Sequence, residues 1–259
     1  MLSLWRRWRD RSALQRRAIP DELWTRTLAR YAFLSERGDE DLDALRRLAS
    51  QFLDRKEFSG AHGFEVNDEV ALAIAAQACL PVLHLGLDAY NGFVGIVVHA
   101  GEVVAPREVS DEHGVVHAYD EELSGEAMEG GPVMLSWSDV AMSGDRGGAD
   151  LEAWAYNVVI HEFAHVLDMA DGQADGVPLL PSRAARERWL AILMPEFDRF
   201  SERVVCGHDT VLDPYGAEGP EEFFAVASES FFVTPAALKA EQPVLYRLLS
   251  SYYRQDPAG

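Results

Sequence analysis

The sequence predicts an α+β fold in which a helical N-terminal part packs on a small mixed sheet, with one strong helix set against that sheet. Three observations carry this expectation. Apolar residues return every three or four positions from Pro20 to about Leu87; β-branched and apolar runs replace that period between Asn91 and Trp137; and helical spacing resumes after Asp150. With 259 residues, 48% of them apolar and 25% charged, the chain can bury a core without disulfide staples and is not collagenous, low-complexity or disordered.

Residues 1–18 form a basic tail. Arg6, Arg7, Arg9, Arg11, Arg16 and Arg17 face Asp10 alone, and Trp5 and Trp8 among them suit weak contact with an acidic membrane surface. No long apolar run follows the arginines, which argues against a secretory signal. Residues 19–88 read as an all-helical unit through Leu23, Leu28, Tyr31 and Leu34, then Leu42, Leu45, Leu48 and Phe52. Asp68 is placed to cap a further helix. The uncharged stretch Val70–Leu87 contains Gln77, Pro81 and His84, so it is expected as a buried helix that breaks before Pro81 and not as a membrane span.

In residues 89–259, Phe93–Val98 and Pro132–Trp137 read as buried strands, with hairpins and exposed loops over 101–131. A glycine-containing loop over 143–150 leads to the strongest helix, with Asp150 as its expected N-cap and Gly172 as its stop. Helices follow over 183–203, 220–232 and 235–253. No linker separates 19–88 from 89–259, so one compact unit is expected. Only Cys79 and Cys206 occur, which excludes a disulfide framework and fits a reducing cytoplasm. The formal charge of −20, from 23 basic and 43 acidic side chains, argues against direct nucleic-acid binding.

The strong helix carries His161-Glu162-Phe163-Ala164-His165, an H-E-x-x-H. Residues four apart share a helix face, so both imidazoles can hold one metal ion, with Glu162 beside them as a proton acceptor for water. On zinc such water has a near-neutral pKa, which is the chemistry of a metallopeptidase. The pair shares its face with Trp154 and Val158, where metal-free histidines would have little purpose.

A tetrahedral site needs a third protein ligand, for which Asp168, His208, Asp209, Asp213, Glu222 and Glu229 are candidates. Glu222 is the first choice, because it opens the helix at Pro220 whose other residues, including Phe223, Phe224, Val226, Phe231 and Phe232, call for burial. Glu229, seven residues on, shares its face and suits the other N–H of a ligand histidine. Asp168 suits a supporting or capping role, and Asp209 or Asp213 remains an alternative ligand. Tyr215 can bring its hydroxyl to a developing oxyanion. Cys206 and His208 read as loop residues. By chain order, Val133, Leu135 and Trp137 mark a candidate edge strand on which a peptide substrate adds.

Several ordered segments together resemble the Mlc titration factor A family over about Ile19–Pro257. They are IAAQACLPVL at 74–83, SGEA at 124–127, GPVMLSW at 131–137, NVVIHEFAHVLD at 157–168, DGQADGVP at 171–178, DPYG at 213–216, EFFAVASESFF at 222–232 and YYRQDP at 252–257. That family's zinc peptidase site is similar to the one in the anthrax lethal factor catalytic domain. The resemblance implies a zincin-like fold, one zinc ion per chain on His161, His165 and Glu222, Glu162 as base and Tyr215 as catalytic tyrosine. It further implies a cytoplasmic, aminopeptidase-like protein that binds the transcriptional repressor Mlc and affects the glucose phosphotransferase system. The competing reading is a regulatory module that sequesters a repressor, with catalysis incidental.

Overall fold

The computed structural model describes residues 16–110, 116–143 and 155–259. The first fifteen residues, with most of the basic tail and its expected membrane contact, lie outside that set, as do Asp150 and Trp154. Helices α1 (Asp21–Arg30), α2 (Ala32–Ser35) and α3 (Asp39–Arg55) open the fold, followed by strand β1 (Glu57–Gly60) and helix α4 (Asp68–Cys79). The all-helical expectation for this part is therefore corrected by β1, whose four residues are too few and too exposed to show an alternating pattern. Asn67, not Asp68, caps α4 by accepting from the Val70 N–H.

Strand β1 runs parallel to β2 (Gly95–His99), so the sheet draws on both sides of position 88. A separate antiparallel hairpin pairs β3 (Val103–Ser110) with β4 (Val116–Leu123). Strands β5 (Gly125–Ala127) and β6 (Val133–Ser136) complete the main sheet in the order β1-β2-β6-β5, with β5 the one antiparallel member. Ile96 registers with Val133 on one side of β6, and Gly125 with Leu135 on the other.

That register corrects the expected peptide-accepting edge. Val133 and Leu135 are buried on an interior strand whose backbone is paired on both sides, and Trp137 begins helix α5 (Trp137–Met142). A continuous apolar run suits such an interior strand, whereas the edge falls to the short Gly-Glu-Ala of β5.

Helix α6 (Val158–Asp168) starts later than expected, because Asn157 takes the cap with extended backbone (φ −153°) and accepts from the Ile160 N–H. A turn of 3₁₀ helix over Met169–Asp171 prolongs it to Gly172. After α7 (Arg183–Val205) and α8 (Pro220–Val233), the single helix expected over 235–253 is two, α9 (Pro235–Glu241) and α10 (Pro243–Tyr253). Pro243 disfavours helical backbone at Gln242, which turns out to φ −125°, ψ 64°. Every residue from Phe223 to Val233 is buried, so α8 runs through the core beside α6. Phe163 of α6 packs within 5.0–5.7 Å of Phe52, Tyr90 and Phe93, measured between ring centres, tying α6 to the N-terminal helices. Among the described residues no helix is long and apolar enough to cross a membrane.

Candidate metal centre

Asn157 anchors the first turn of α6 through three bonds. Its Oδ1 accepts from the Ile160 N–H at 2.9 Å, its N–H donates to Glu229 Oε2, and its Nδ2 donates to Gln77 Oε1 on α4 at 2.8 Å. One turn apart on the helix so fixed, His161 and His165 bring their Nε2 atoms to 3.1 Å. Glu222, in the first turn of α8, places Oε2 3.1 Å from His161 Nε2 and 3.3 Å from His165 Nε2. Among the described residues, this is the group of histidine and carboxylate atoms close enough to hold an ion.

The triangle fits a zinc ion. Tetrahedral ligands at bonds of about 2.0 Å stand about 3.3 Å apart. Moreover, Glu222 Oε2 is buried without a hydrogen bond although two imidazole nitrogens flank it, an arrangement that is costly unless a cation fills it. Burial opposes the Glu222 charge, but the imidazoles outweigh it and hold the carboxyl down at about 2. Burial likewise opposes a charged His161, yet Glu222 and Glu229 push its pKa well above the usual value. Glu229 Oε1 lies 2.8 Å from His161 Nδ1. Nδ1 donates to the Glu229 carboxylate, so when a metal displaces the other ring proton the nitrogen left facing the triangle is Nε2. The alternative ligands do not join the group. Asp213 instead accepts from the Tyr215 N–H at 2.9 Å, capping the 3₁₀ turn Pro214–Ala217, and the Asp209 carbonyl accepts from Arg203.

Glu162 is 5% exposed, and burial pushes its carboxyl up against the pull of the two imidazoles. It faces the edge strand β5, where the Ala127 N–H donates to it. A Cβ on Gly125 would lie 2.6 Å from its Cγ and Oε1, so β5 can pass this closely only with glycine there. Gly125→Ala is expected to lower unfolding stability by about 1–3 kcal/mol through overpacking, read as a fall in urea midpoint. An unchanged midpoint would show that the strand has room to move. Tyr215, 44% exposed, sets its ring 6.1 Å from that of His161.

Asp168, expected in a supporting or capping role, fastens the loop that follows the helix. Its Oδ2 accepts from the Gly176 N–H at 2.9 Å, and the Gly176 carbonyl accepts from Trp189 Nε1. Gly176, at φ 76°, lies so close to α8 that a Cβ would stand 2.3 Å from the Pro220 carbonyl oxygen. The loop thereby buttresses the turn that presents Glu222. Burial raises the Asp168 pKa from 3.8 to about 6, with the Gly176 N–H partly offsetting it. Because the folded value lies above the unfolded one, this group favours the fold fully below pH about 4, and that contribution is lost as pH rises through about 6. Asp168→Asn should flatten the stability profile of the metal-free protein over that window and gain on the order of 2 kcal/mol near pH 7.5. Urea unfolding at several pH values checks this, and an unchanged slope would refute it.

Asn157, Gln77, Gly125 and Ala127 were not singled out as site residues by sequence reasoning. Asn157 immediately before an apolar run was a readable cap signal, and Gly125 a readable mark of close backbone approach. Nothing local marks the other two.

Comparison with known proteins follows the same lines. The model of the glucose-regulated metallo-peptidase M90 family matches residues 5–254. Mlc titration factor A of Pectobacterium atrosepticum is 37% identical over 86% of this chain and 83% of its own length. Its namesake from Escherichia fergusonii is 33% identical over 96% and 91%, and an uncharacterised protein of Synechocystis sp. is 35% identical over 98% and 90%.

Proposed function

The chain belongs to the Mlc titration factor A family, the glucose-regulated metallo-peptidases M90, and from that premise we propose that it is a cytoplasmic zinc peptidase, aminopeptidase-like on small substrates. The observation that carries the reading is the triangle of His161, His165 and Glu222 with the Glu162 carboxylate beside it. His161, His165 and Glu222 hold one zinc ion, and Glu229 keeps His161 in the tautomer that binds it. Zinc, when bound, supplies Lewis-acid polarisation and water of pKa about 7. Glu162 takes a proton from the attacking water and returns it to the departing amine, a role for which its raised pKa suits it. The Tyr215 hydroxyl donates to the oxyanion. An extended peptide adds along β5, the sheet edge that runs past Glu162, and its backbone pairing aligns the scissile bond.

A second reading rests on the relatives' name: capture of a transcriptional repressor resembling Mlc, with catalysis incidental. The test of the first is elemental analysis together with hydrolysis of chromogenic amino-acid amides. About one zinc per chain and chelator-sensitive hydrolysis are expected. A folded, zinc-supplemented protein that binds no metal would overturn the peptidase and leave the binding module.

A further inference from the structure

We propose that the groove of about 610 Å³ between α7 and α10 is a docking surface for an amphipathic helix of a partner protein, one that flanks its apolar stripe with acidic residues. None of the metal-site residues lines this groove, so the inference stands apart from the peptidase reading and goes beyond it.

Each helix presents one stripe to the groove. On α7 the stripe is Ala185, Arg188, Trp189 and Ile192, and on α10 it is Val244, Arg247, Leu248 and Ser251. Both follow the spacing i, i+3, i+4, i+7, which keeps four residues on one face over about two turns. The rings of Trp189 and Tyr252, 5.5 Å apart between centres, join the two helices within it. Neighbouring helices that leave such stripes open form a furrow into which the ridge of a third helix packs. Leu179 and Val244 line it while 61% and 39% exposed, apolar area that a partner's apolar face would cover.

Charge states which helix would enter. Arg188, Arg247 and Arg254 line the groove, and among the described residues no carboxylate does. The other arginines of α7 each meet one: Arg183 pairs with Glu187, Arg186 with Asp171 and Asp175, Arg199 with Glu196 and Arg203 with Glu241. Arg188 and Arg247 have no such partner among the described residues, and Arg254 reaches the His84 carbonyl at 3.4 Å. In a chain of net charge −20, three cations left without carboxylates around an apolar furrow are complementary to acidic side chains from outside.

The test is fluorescence anisotropy of the zinc-supplemented full chain with N-acetylated, labelled peptides of about four helical turns. The probe carries leucine along one i, i+3, i+4, i+7 stripe, glutamate on its flanks and alanine opposite. It is expected to bind at least about 10-fold more tightly than its lysine-for-glutamate counterpart and than a scrambled peptide of the same composition. Net charge alone would favour the lysine peptide, so the sign of the preference is diagnostic. Arg188→Glu combined with Arg247→Glu should weaken the acidic peptide at least about 10-fold. Both side chains are exposed, so amide hydrolysis should stay within about 2-fold. Val244→Glu, which sets a like charge in the furrow, should cause the same loss and serves if the double exchange disturbs folding. A preference for the lysine peptide, no saturation up to about 1 mM, or unchanged affinity in both variants overturns the proposal. So does arginine-dependent binding of phosphatidylglycerol vesicles, or of a second copy of this chain in sedimentation, when the acidic peptide does not bind.

Discussion

Glu162→Gln is expected to lose amide hydrolysis by about 10²- to 10⁴-fold, the usual contribution of a positioned general base, while keeping zinc and fold. The substitution conserves shape. Its amide oxygen can still accept from the Ala127 N–H, and the close pass of Gly125 is unaltered. Removing a 5% exposed charge whose pKa burial has raised leaves metal-free stability unchanged or improved. His161, His165 and Glu222 are untouched, so metal content should match the wild type. Because only the proton acceptor is lost, KM should change little and kcat should carry the effect. The same variant separates the two functional readings. Capture of a repressor should survive it, so a biological effect that persists with Glu162→Gln belongs to binding and one that disappears belongs to hydrolysis. Wild-type turnover in this variant would remove Glu162 from the chemistry.

What could be read from sequence divides by distance along the chain. The pairing of His161 with His165 is set within one helical turn, and the choice of Glu222 needed only the cost of a carboxylate on a helix that is otherwise buried. Sheet order is a different kind of information. Val133–Ser136 reads as a strand, but its interior place depends on pairing with Gly95–His99 and on the return of Gly125–Ala127, and strands this short show no alternation by which to choose an edge. Asp150 and Asn157 are equally good caps by residue type. Gln77 and Glu229, 80 and 72 residues away, hold Asn157 in that role. Asp168 was correctly placed on the histidine face, but helix arithmetic cannot foresee the approach of Gly176 to Pro220 that claims its carboxylate.

Glu222→Ala should abolish stoichiometric zinc and, with it, hydrolysis. Loss of a residue that merely supports a ligand costs about 10- to 100-fold in metal affinity, so loss of the third ligand itself should cost at least about 100-fold. Folding is read separately. The imidazoles outweigh the burial cost of the Glu222 charge and hold its carboxyl down at about 2, so its loss should also lower metal-free stability near pH 7 by about 2–3 kcal/mol, read as a fall in urea midpoint, and zinc content is compared at denaturant-free conditions where both proteins are folded. Zinc then supplies the contrast. At a free concentration 100 times its dissociation constant it should stabilise the wild-type fold by about 2.7 kcal/mol, and at that same concentration the variant should gain less than about 0.5 kcal/mol. Asp213→Ala is the companion measurement, since Asp213 caps the 3₁₀ turn and stands outside the triangle; it should keep both zinc and the thermal shift. The opposite pattern, zinc retained without Glu222 and lost without Asp213, would mean that α8 delivers its first-turn carboxylate for some purpose other than the metal.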